Sequence, residues 1–132
     1  MGLIMKKPKF PQFDSYAIVG DSITWQAEGF EITARLEFDD VTRPTDSECY
    51  SKEQISSWKN DDWFYVGVVL SVSKNGVELE DNAASLWGID CNFPSRKKNP
   101  NTYLSECALE MQSEALESGR AALADTLAKL QA

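Results

Sequence analysis

The sequence predicts an α+β fold with an antiparallel or mixed sheet of about five strands, a short middle helix and a long C-terminal helix packed on one face. Polar and apolar residues alternate over residues 30–38, and a Val-rich run over residues 63–73 is apolar on both faces. Apolar residues then recur every three or four positions over residues 102–130. We expect a single domain over residues 14–132, preceded by a basic, flexible N-terminal arm over residues 1–13.

The first two strands are predicted to form a hairpin. Between Phe30 and Phe38 every second residue is apolar and the intervening residues are polar, which is typical of a half-buried strand. Glu28 and Gly29 separate this strand from an earlier one over residues 23–27, a spacing that favours a tight turn. The polar segment 39–50, which contains Pro44, is expected to be a loop.

A short helix and a central strand follow. Ser51 and Gln54 have the spacing of a capping box, in which two side chains satisfy the free N–H groups at a helix start. The helix is expected to run to about Lys59 and to end at residues 60–62. Residues 63–73 then predict a strand covered on both faces, as a central strand is.

Two more strands are predicted after this central strand. Asn75 and Gly76 are the residues that a two-residue type I′ turn requires, and residues 77–80 return as a strand. Residues 84–90 are expected to add another strand, and residues 92–101 a long exposed connection.

The terminal helix is predicted over residues 102–130, with Asn101 as its cap. Its broad apolar stripe suits packing across a sheet. Gly119 lies on that stripe, where it would either bend the helix or allow close approach to the sheet.

The charge of the chain narrows the choice of partners. The net charge is −8, and because Lys6, Lys7 and Lys9 are the only charged residues among the first 13, residues 14–132 carry −11. A strongly acidic body repels phosphate backbones and favours a protein partner with a basic surface, although solubility alone would also explain it. The basic residues 96–98 have few aromatic neighbours for base stacking, so direct nucleic-acid binding is not expected.

Composition also argues against catalysis. The chain has no histidine, the usual base for a serine or cysteine nucleophile, although a Ser–Lys pair stays open. Cys49, Cys91 and Cys107 form no CxxC pair, so we expect free thiols in a reducing compartment and no metal site. No glycine-rich phosphate loop is present. We therefore expect a cytoplasmic protein that is not an enzyme, with no catalytic residues, no cofactor and no membrane segment.

Candidate contact residues come from the acidic side chains. Glu106, Glu110, Glu114 and Glu117 follow one side of the predicted terminal helix, opposite the apolar stripe; we call them the acidic helix face. Like charges at this spacing repel one another slightly, which favours a role in contact with a basic partner, while a solvated helix face is the simpler explanation. Asp39 and Asp40 are added as a candidate contact loop.

An alternative function is binding of a small molecule. Four tryptophans are many for this length, and Trp63, Tyr65 and Trp87 are candidates to line an aromatic pocket between the sheet and the terminal helix. Packing in the core is the competing explanation for these residues. A structural protein of unknown role is a further alternative.

Three segments carry a resemblance to known proteins: EGFEITARLEFDD over residues 28–40, SKEQISSWKNDDWFYVGVVLSVSKNGVELEDNAASLWGID over residues 51–90, and YLSECALEMQSEAL over residues 103–116. They resemble a family of small uncharacterised acidic proteins found in bacteria and their phages. The resemblance implies an intracellular accessory protein, often encoded on mobile DNA, with no agreed activity and no catalytic residues to carry over. From the acidic side chains we expect a protein that acts by macromolecular binding. By analogy the resemblance suggests a phage or mobile-element inhibitor, or a mimic of nucleic acid.

Overall fold

A computed structural model describes residues 10–95 and 97–131. In that part of the chain, four strands form one antiparallel sheet in the order β1-β2-β3-β4. The strands are β1 Ser22–Ala27, β2 Phe30–Phe38, β3 Phe64–Lys74 and β4 Val77–Cys91. The helices are α1 Lys52–Lys59, α2 Thr102–Glu110 and α3 Gln112–Leu130, and a 3₁₀ turn covers Pro44–Asp46. The α+β class and the antiparallel sheet are confirmed.

Two tight turns set the register of the sheet. Glu28 and Gly29 have φ values of 50° and 83°, and Asn75 and Gly76 have values of 51° and 79°. Positive φ at both central residues is the geometry of a type I′ turn, whose twist matches that of the paired strands. Both predicted hairpins are therefore present.

The strand count differs by one from the prediction. The two short strands expected over residues 77–80 and 84–90 are parts of the single strand β4. Leu70 pairs with Ala84 whereas Val72 pairs with Glu80, so the register shifts between these two pairs. Extra residues on one strand interrupt its alternation of apolar and polar positions, so the sequence pattern predicts two strands where the structure has one.

The central position of β3 is confirmed, because β2 and β4 pair with its two edges. Val66, Val68, Leu70 and Val72 are buried on the face that packs against α2 and α3. Val69, which points to the other face, is also fully buried. Burial on both faces explains why the strand lacks alternation.

The terminal helix predicted over residues 102–130 is wrong in one respect, because Met111 divides it into α2 and α3. The apolar stripe continues through the break, with Met111 buried between Ala108 and Ala115. Apolar spacing alone cannot reveal an irregularity of one residue that preserves the stripe. Neither α2, α3 nor any other helix within the described ranges has the length and apolarity to cross a membrane.

Asn101 precedes α2 as expected, but its side chain does not cap the helix. Its amide oxygen accepts the Asn92 N–H at 2.7 Å, and its amide nitrogen donates to the Asp14 carbonyl and to Asn92 Oδ1, both at 2.9 Å. Because Asn101 is fully buried, these bonds satisfy its polar atoms and join three distant segments.

Gly119 allows α3 to approach the sheet. A Cβ atom at this position would lie 2.7 Å from Val72 Cγ1, closer than two carbon atoms tolerate. Of the two roles considered for Gly119, the structure supports close approach.

Residues 1–9 of the predicted N-terminal arm lie outside the described residues. Arg96 of the basic segment 96–98 also lies outside them. Among the described residues of the arm, Phe10 and Phe13 pack on the domain. Phe13 is buried and its N–H donates to the Ser105 hydroxyl oxygen at 3.0 Å. The Phe10 ring meets the Trp25 ring edge-on, with centroids 4.7 Å apart.

Candidate functional site

An aromatic cluster covers one end of the sheet on the face opposite α2 and α3. Trp63 lies at its centre, with ring centroids 5.6 Å from Tyr50, 5.3 Å from Tyr65 and 4.9 Å from Phe93. The Trp63 indole N–H donates to the Gln54 carbonyl of α1 at 2.9 Å. Since Trp63 is fully buried, its role is to hold α1 against the sheet.

Asp39 organises the loop that follows β2. Its carboxylate accepts the Val41 and Thr42 N–H groups at 2.9 and 3.0 Å, the Thr42 hydroxyl at 2.7 Å and the Gly88 N–H at 2.9 Å. Burial alone would raise the pKa of this carboxyl, but the bonds from Thr42, Val41 and Gly88 outweigh burial and lower the pKa below its ordinary value. Asp39 therefore holds its loop as a carboxylate, with only 7% of its surface exposed.

The same residue connects three strands. The Asp39 N–H donates to the Tyr65 carbonyl of β3 at 3.0 Å, while its side chain reaches Gly88 of β4. The loop is thereby fixed to the sheet, and Asp40 and Val41 point outward from it. A binding loop that is already ordered loses little conformational entropy when a partner docks.

Exposed apolar side chains surround this loop, and we call them the Phe38 patch. Phe38 is 57% exposed, Val41 80%, Trp87 46% and Val19 45%. Phe38, Val41 and Trp87 line one shared groove of about 350 Å³, while Val19 and Phe38 line a second of about 250 Å³. Phe38 is the residue that lines both grooves.

Trp87 is positioned by a glycine on the neighbouring strand. A Cβ atom added to Gly67 would lie 2.3 Å from Trp87 Cε3, so the indole lies directly over Gly67. The Trp87 indole N–H donates to the Ser85 hydroxyl oxygen at 3.3 Å. Any side chain at position 67 would push Trp87 out of the patch.

A further groove, which we call the aromatic groove, lies between this loop and the C-terminal end of α1. Its volume is about 340 Å³. The aromatic residues that line it are Phe38, Trp58, Phe64 and Tyr65, and the charged residues that line it are Asp39, Asp40, Arg43, Lys59 and Asp61. Within residues 10–95 and 97–131, none of these charged side chains belongs to an ion pair.

A larger groove of about 520 Å³ lies on the other side of the loop. Arg43, Cys49, Tyr50 and Tyr65 contribute most of its functional groups. Burial raises the pKa of Tyr65, and the nearby Tyr50 hydroxyl and the charges of Asp90 and Asp39 raise it further. Tyr65 is therefore a neutral hydrogen-bonding group at physiological pH.

The structure separates the predicted contact residues. All four residues of the acidic helix face are exposed, but Glu106 and Glu110 lie on α2 whereas Glu114 and Glu117 lie on α3. Asp40 is exposed, while the neighbouring Asp39 is buried and engaged in its loop.

The predicted pocket residues are likewise divided. Trp63 is enclosed in the aromatic cluster, Tyr65 lines both the aromatic groove and the larger groove, and Trp87 belongs to the Phe38 patch. The space between the sheet and the terminal helices, where the pocket was expected, is occupied by core side chains.

Sequence reasoning missed Phe38, Val41, Trp58 and Asp61 as site residues. Phe38 continues the apolar alternation of β2 and was therefore assigned to the buried face, although it lies beyond the end of the core. Val41 offered no clear signal, because single apolar residues are common at protein surfaces.

In the described part of the chain, no three Cys, Asp or Glu side chains converge on a point that could hold an ion. Cys49 is exposed, whereas Cys91 and Cys107 are buried, and all three are free thiols.

Comparison of the chain with protein-family models, with curated proteins and with solved structures finds no match.

Proposed function

We propose that this protein is a non-enzymatic accessory protein that binds another protein through the Phe38 patch. The observation that carries the proposal is the exposure of Phe38 and Val41 at a loop that Asp39 holds rigid. Exposed apolar side chains that gather on one surface mark protein interaction sites more often than single exposed residues do. Aromatic anchors such as Trp87 commonly supply most of the binding energy of such surfaces.

The charge of the body favours a partner with a basic surface. Residues 14–132 carry −11, and the acidic helix face leaves four carboxylates exposed. Complementary charge accelerates the encounter of two proteins, while the apolar contact sets the lifetime of the complex. The acidic helix face therefore contributes to steering, and Asp40 adds charge beside the patch.

The test compares two exposed valines. Val41→Ser should weaken binding of a captured and purified partner at least about tenfold, because Val41 lies in the Phe38 patch. Val77→Ser is the matched control, since Val77 is also exposed but lies at the β3–β4 turn. Affinity is measured by calorimetry, and thermal melts should show both variants folded.

Equal weakening by the two variants, or no weakening by either, would contradict the proposal. Phe38→Ser provides a second measurement, because Phe38 belongs to the patch and lines three grooves. Its effect on affinity should be at least as large as that of Val41→Ser.

Binding of a small molecule is the second candidate function. The observation in its favour is the groove of about 520 Å³, which the Arg43 guanidinium and the Tyr50 hydroxyl line and where they could orient a ligand. A ligand screen by tryptophan fluorescence tests it, with Tyr50→Phe expected to weaken any hit and Val77→Ser, outside the groove lining, expected to leave it unchanged.

The biological setting rests on the resemblance described above. We propose a cytoplasmic protein of bacterial or phage origin, and an inhibitor encoded by a phage or mobile element fits both its size and its acidic charge.

A further inference from the structure

We infer that the aromatic groove receives an arginine side chain of the protein partner. This inference rests on the proposed function, because it names the chemistry that the partner presents beside the Phe38 patch. Phe38 belongs to both surfaces, so a partner seated on the patch extends directly into the groove.

The walls of the groove suit a flat cation. Trp58 and Phe64 line the groove and are partly buried, so their rings are held in place by the surrounding structure. A guanidinium group stacks on aromatic faces and is less strongly hydrated than an ammonium group, which favours arginine over lysine. The volume of about 340 Å³ lies within the range of roughly 300–1,000 Å³ typical of ligand pockets.

Two exposed carboxylates from different elements line the groove. Asp40 comes from the loop after β2, and Asp61 comes from the end of α1. A guanidinium group offers five N–H donors in a planar fork, which matches carboxylate oxygens.

The other charges that line the groove do not reverse its preference for a cationic side chain. Arg43 and Lys59 balance Asp40 and Asp61, and the carboxylate of Asp39 leaves the lining at −1. The surrounding body carries −11 and repels anions approaching the groove. A cationic side chain is therefore favoured over an anionic one.

The backbone at Asp61 supports a role for its side chain. Asp61 has φ of 62° directly after α1, a left-handed conformation that glycine adopts most easily. Its N–H donates to the Trp58 carbonyl, and the Asp62 N–H donates to the Ser57 carbonyl, so the chain closes the helix in the usual manner. A glycine here would close the helix with less strain but would remove the carboxylate from the groove.

The experiment titrates the full chain with N-acetyl-arginine methylamide and follows tryptophan fluorescence and the indole N–H signals by NMR. The citrulline analogue, which has nearly the same shape without the charge, serves as the ligand control. Arginine should bind at least about tenfold more tightly than citrulline, and more tightly than the lysine analogue.

Three variants of the protein locate the site. Asp40→Asn and Asp61→Asn should each weaken arginine binding about fivefold or more. Asn tolerates the left-handed conformation of position 61, so this variant keeps the fold. Asp62→Asn is the matched control: it removes the same charge next door, outside the groove lining, and should leave binding unchanged.

Three results would overturn the assignment: equal binding of the arginine and citrulline analogues, insensitivity to both groove variants, or no saturable change up to about 100 mM arginine analogue. If the arginine titration fails but Val41→Ser still weakens partner binding, only the arginine assignment is refuted. Loss of the Val41 dependence refutes the proposed function itself.

Discussion

Among single residues, Asp39 shapes the candidate site most directly, because four donors from the loop and from β4 converge on its carboxylate. In Asp39→Asn, the amide group would place N–H donors against N–H or hydroxyl donors. We expect a loss of about 2–3 kcal/mol in the free energy of unfolding, measured by urea denaturation. Asp40→Asn, which changes an exposed neighbour, should change stability by less than about 0.5 kcal/mol.

The pH dependence of stability provides a second measurement on Asp39. Its pKa is lower in the folded state than in the unfolded chain, so its contribution to stability is complete above the ordinary aspartate value. That contribution is lost as the pH falls through the lowered pKa. The difference in stability between the native protein and Asp39→Asn should therefore shrink with acidification, and a constant difference would contradict this account.

The pKa of Asp90 is shifted in the opposite direction to that of Asp39. Burial raises its pKa, and its own backbone N–H and the charge of Lys97 only partly oppose that effect. The ionised form is thus disfavoured by folding, and stability is lost as the pH rises from the ordinary aspartate value through the raised pKa. Asp90→Asn should increase the stability at pH 7 by up to about 1 kcal/mol.

Thermal melts across a pH series check this prediction. The gain from Asp90→Asn should vanish well below the ordinary aspartate pKa, where the native side chain is neutral in both states. A variant that is less stable than the native protein at pH 7 would show that the Asp90 carboxylate makes a favourable contact.

At the scale of elements, the contact between α3 and β3 depends on the missing side chain of Gly119. Gly119→Ala would place its Cβ atom 2.7 Å from Val72 Cγ1. Overpacking of a core costs about 1–3 kcal/mol, which outweighs the gain of about 1 kcal/mol from better helix propensity. Denaturant titration should therefore show a net loss of stability.

The double variant Gly119→Ala with Val72→Ala tests the cause. Removing the Val72 methyl groups should make the change at position 119 neutral or stabilising, so the two effects should not add. Additive losses would mean that the clash is not the reason for the glycine.

The elements that the sequence predicted well have strong local signals. The turns at residues 28–29 and 75–76 and the capping box of α1 depend on a few adjacent residues, and all three are present. The break at Met111 and the shifts of register in β4 depend on how these segments meet the sheet. The spacing of apolar residues along the chain does not predict how the segments meet the sheet.

At the scale of the whole molecule, charge is expected to act on the rate of association. Glu106→Gln, Glu110→Gln and Glu114→Gln together would change the net charge from −8 to −5. We expect partner binding to weaken mainly through slower association, with a smaller dependence on salt. Stability should stay the same or rise slightly, because repulsion between like charges is relieved.

Stopped-flow association at several salt concentrations measures this effect. Glu53→Gln with Asp125→Asn and Asp14→Asn is a control set of equal charge at scattered exposed positions. If both triple variants slow association equally, total charge matters and the acidic helix face has no special role. If neither does, electrostatic steering is absent.

The candidate site was only partly predictable at this scale. Asp40, Tyr65 and Trp87 were singled out from the sequence and do line its grooves. Their grouping around one loop was not foreseeable, because it depends on the bond between Asp39 and Gly88, which are far apart in the chain. Phe38 and Trp58, which are also distant in the chain, line the same aromatic groove.

The unequal burial of the three cysteines provides a direct readout of local opening. Cys49 lies beside the larger groove and is exposed, so a thiol reagent should modify it at once in the native protein. Cys91 in β4 and Cys107 in α2 are sealed, and burial together with the charges of Asp90 and Asp21 raises the pKa of Cys91 to about 12. Reaction at these two thiols must wait for their segments to detach. The rate at Cys49 serves as the reference for an exposed thiol. Relative to it, the rate at Cys91 gives the opening free energy of the edge strand β4, and the rate at Cys107 gives that of the helix layer. No cysteine has to be introduced by mutation.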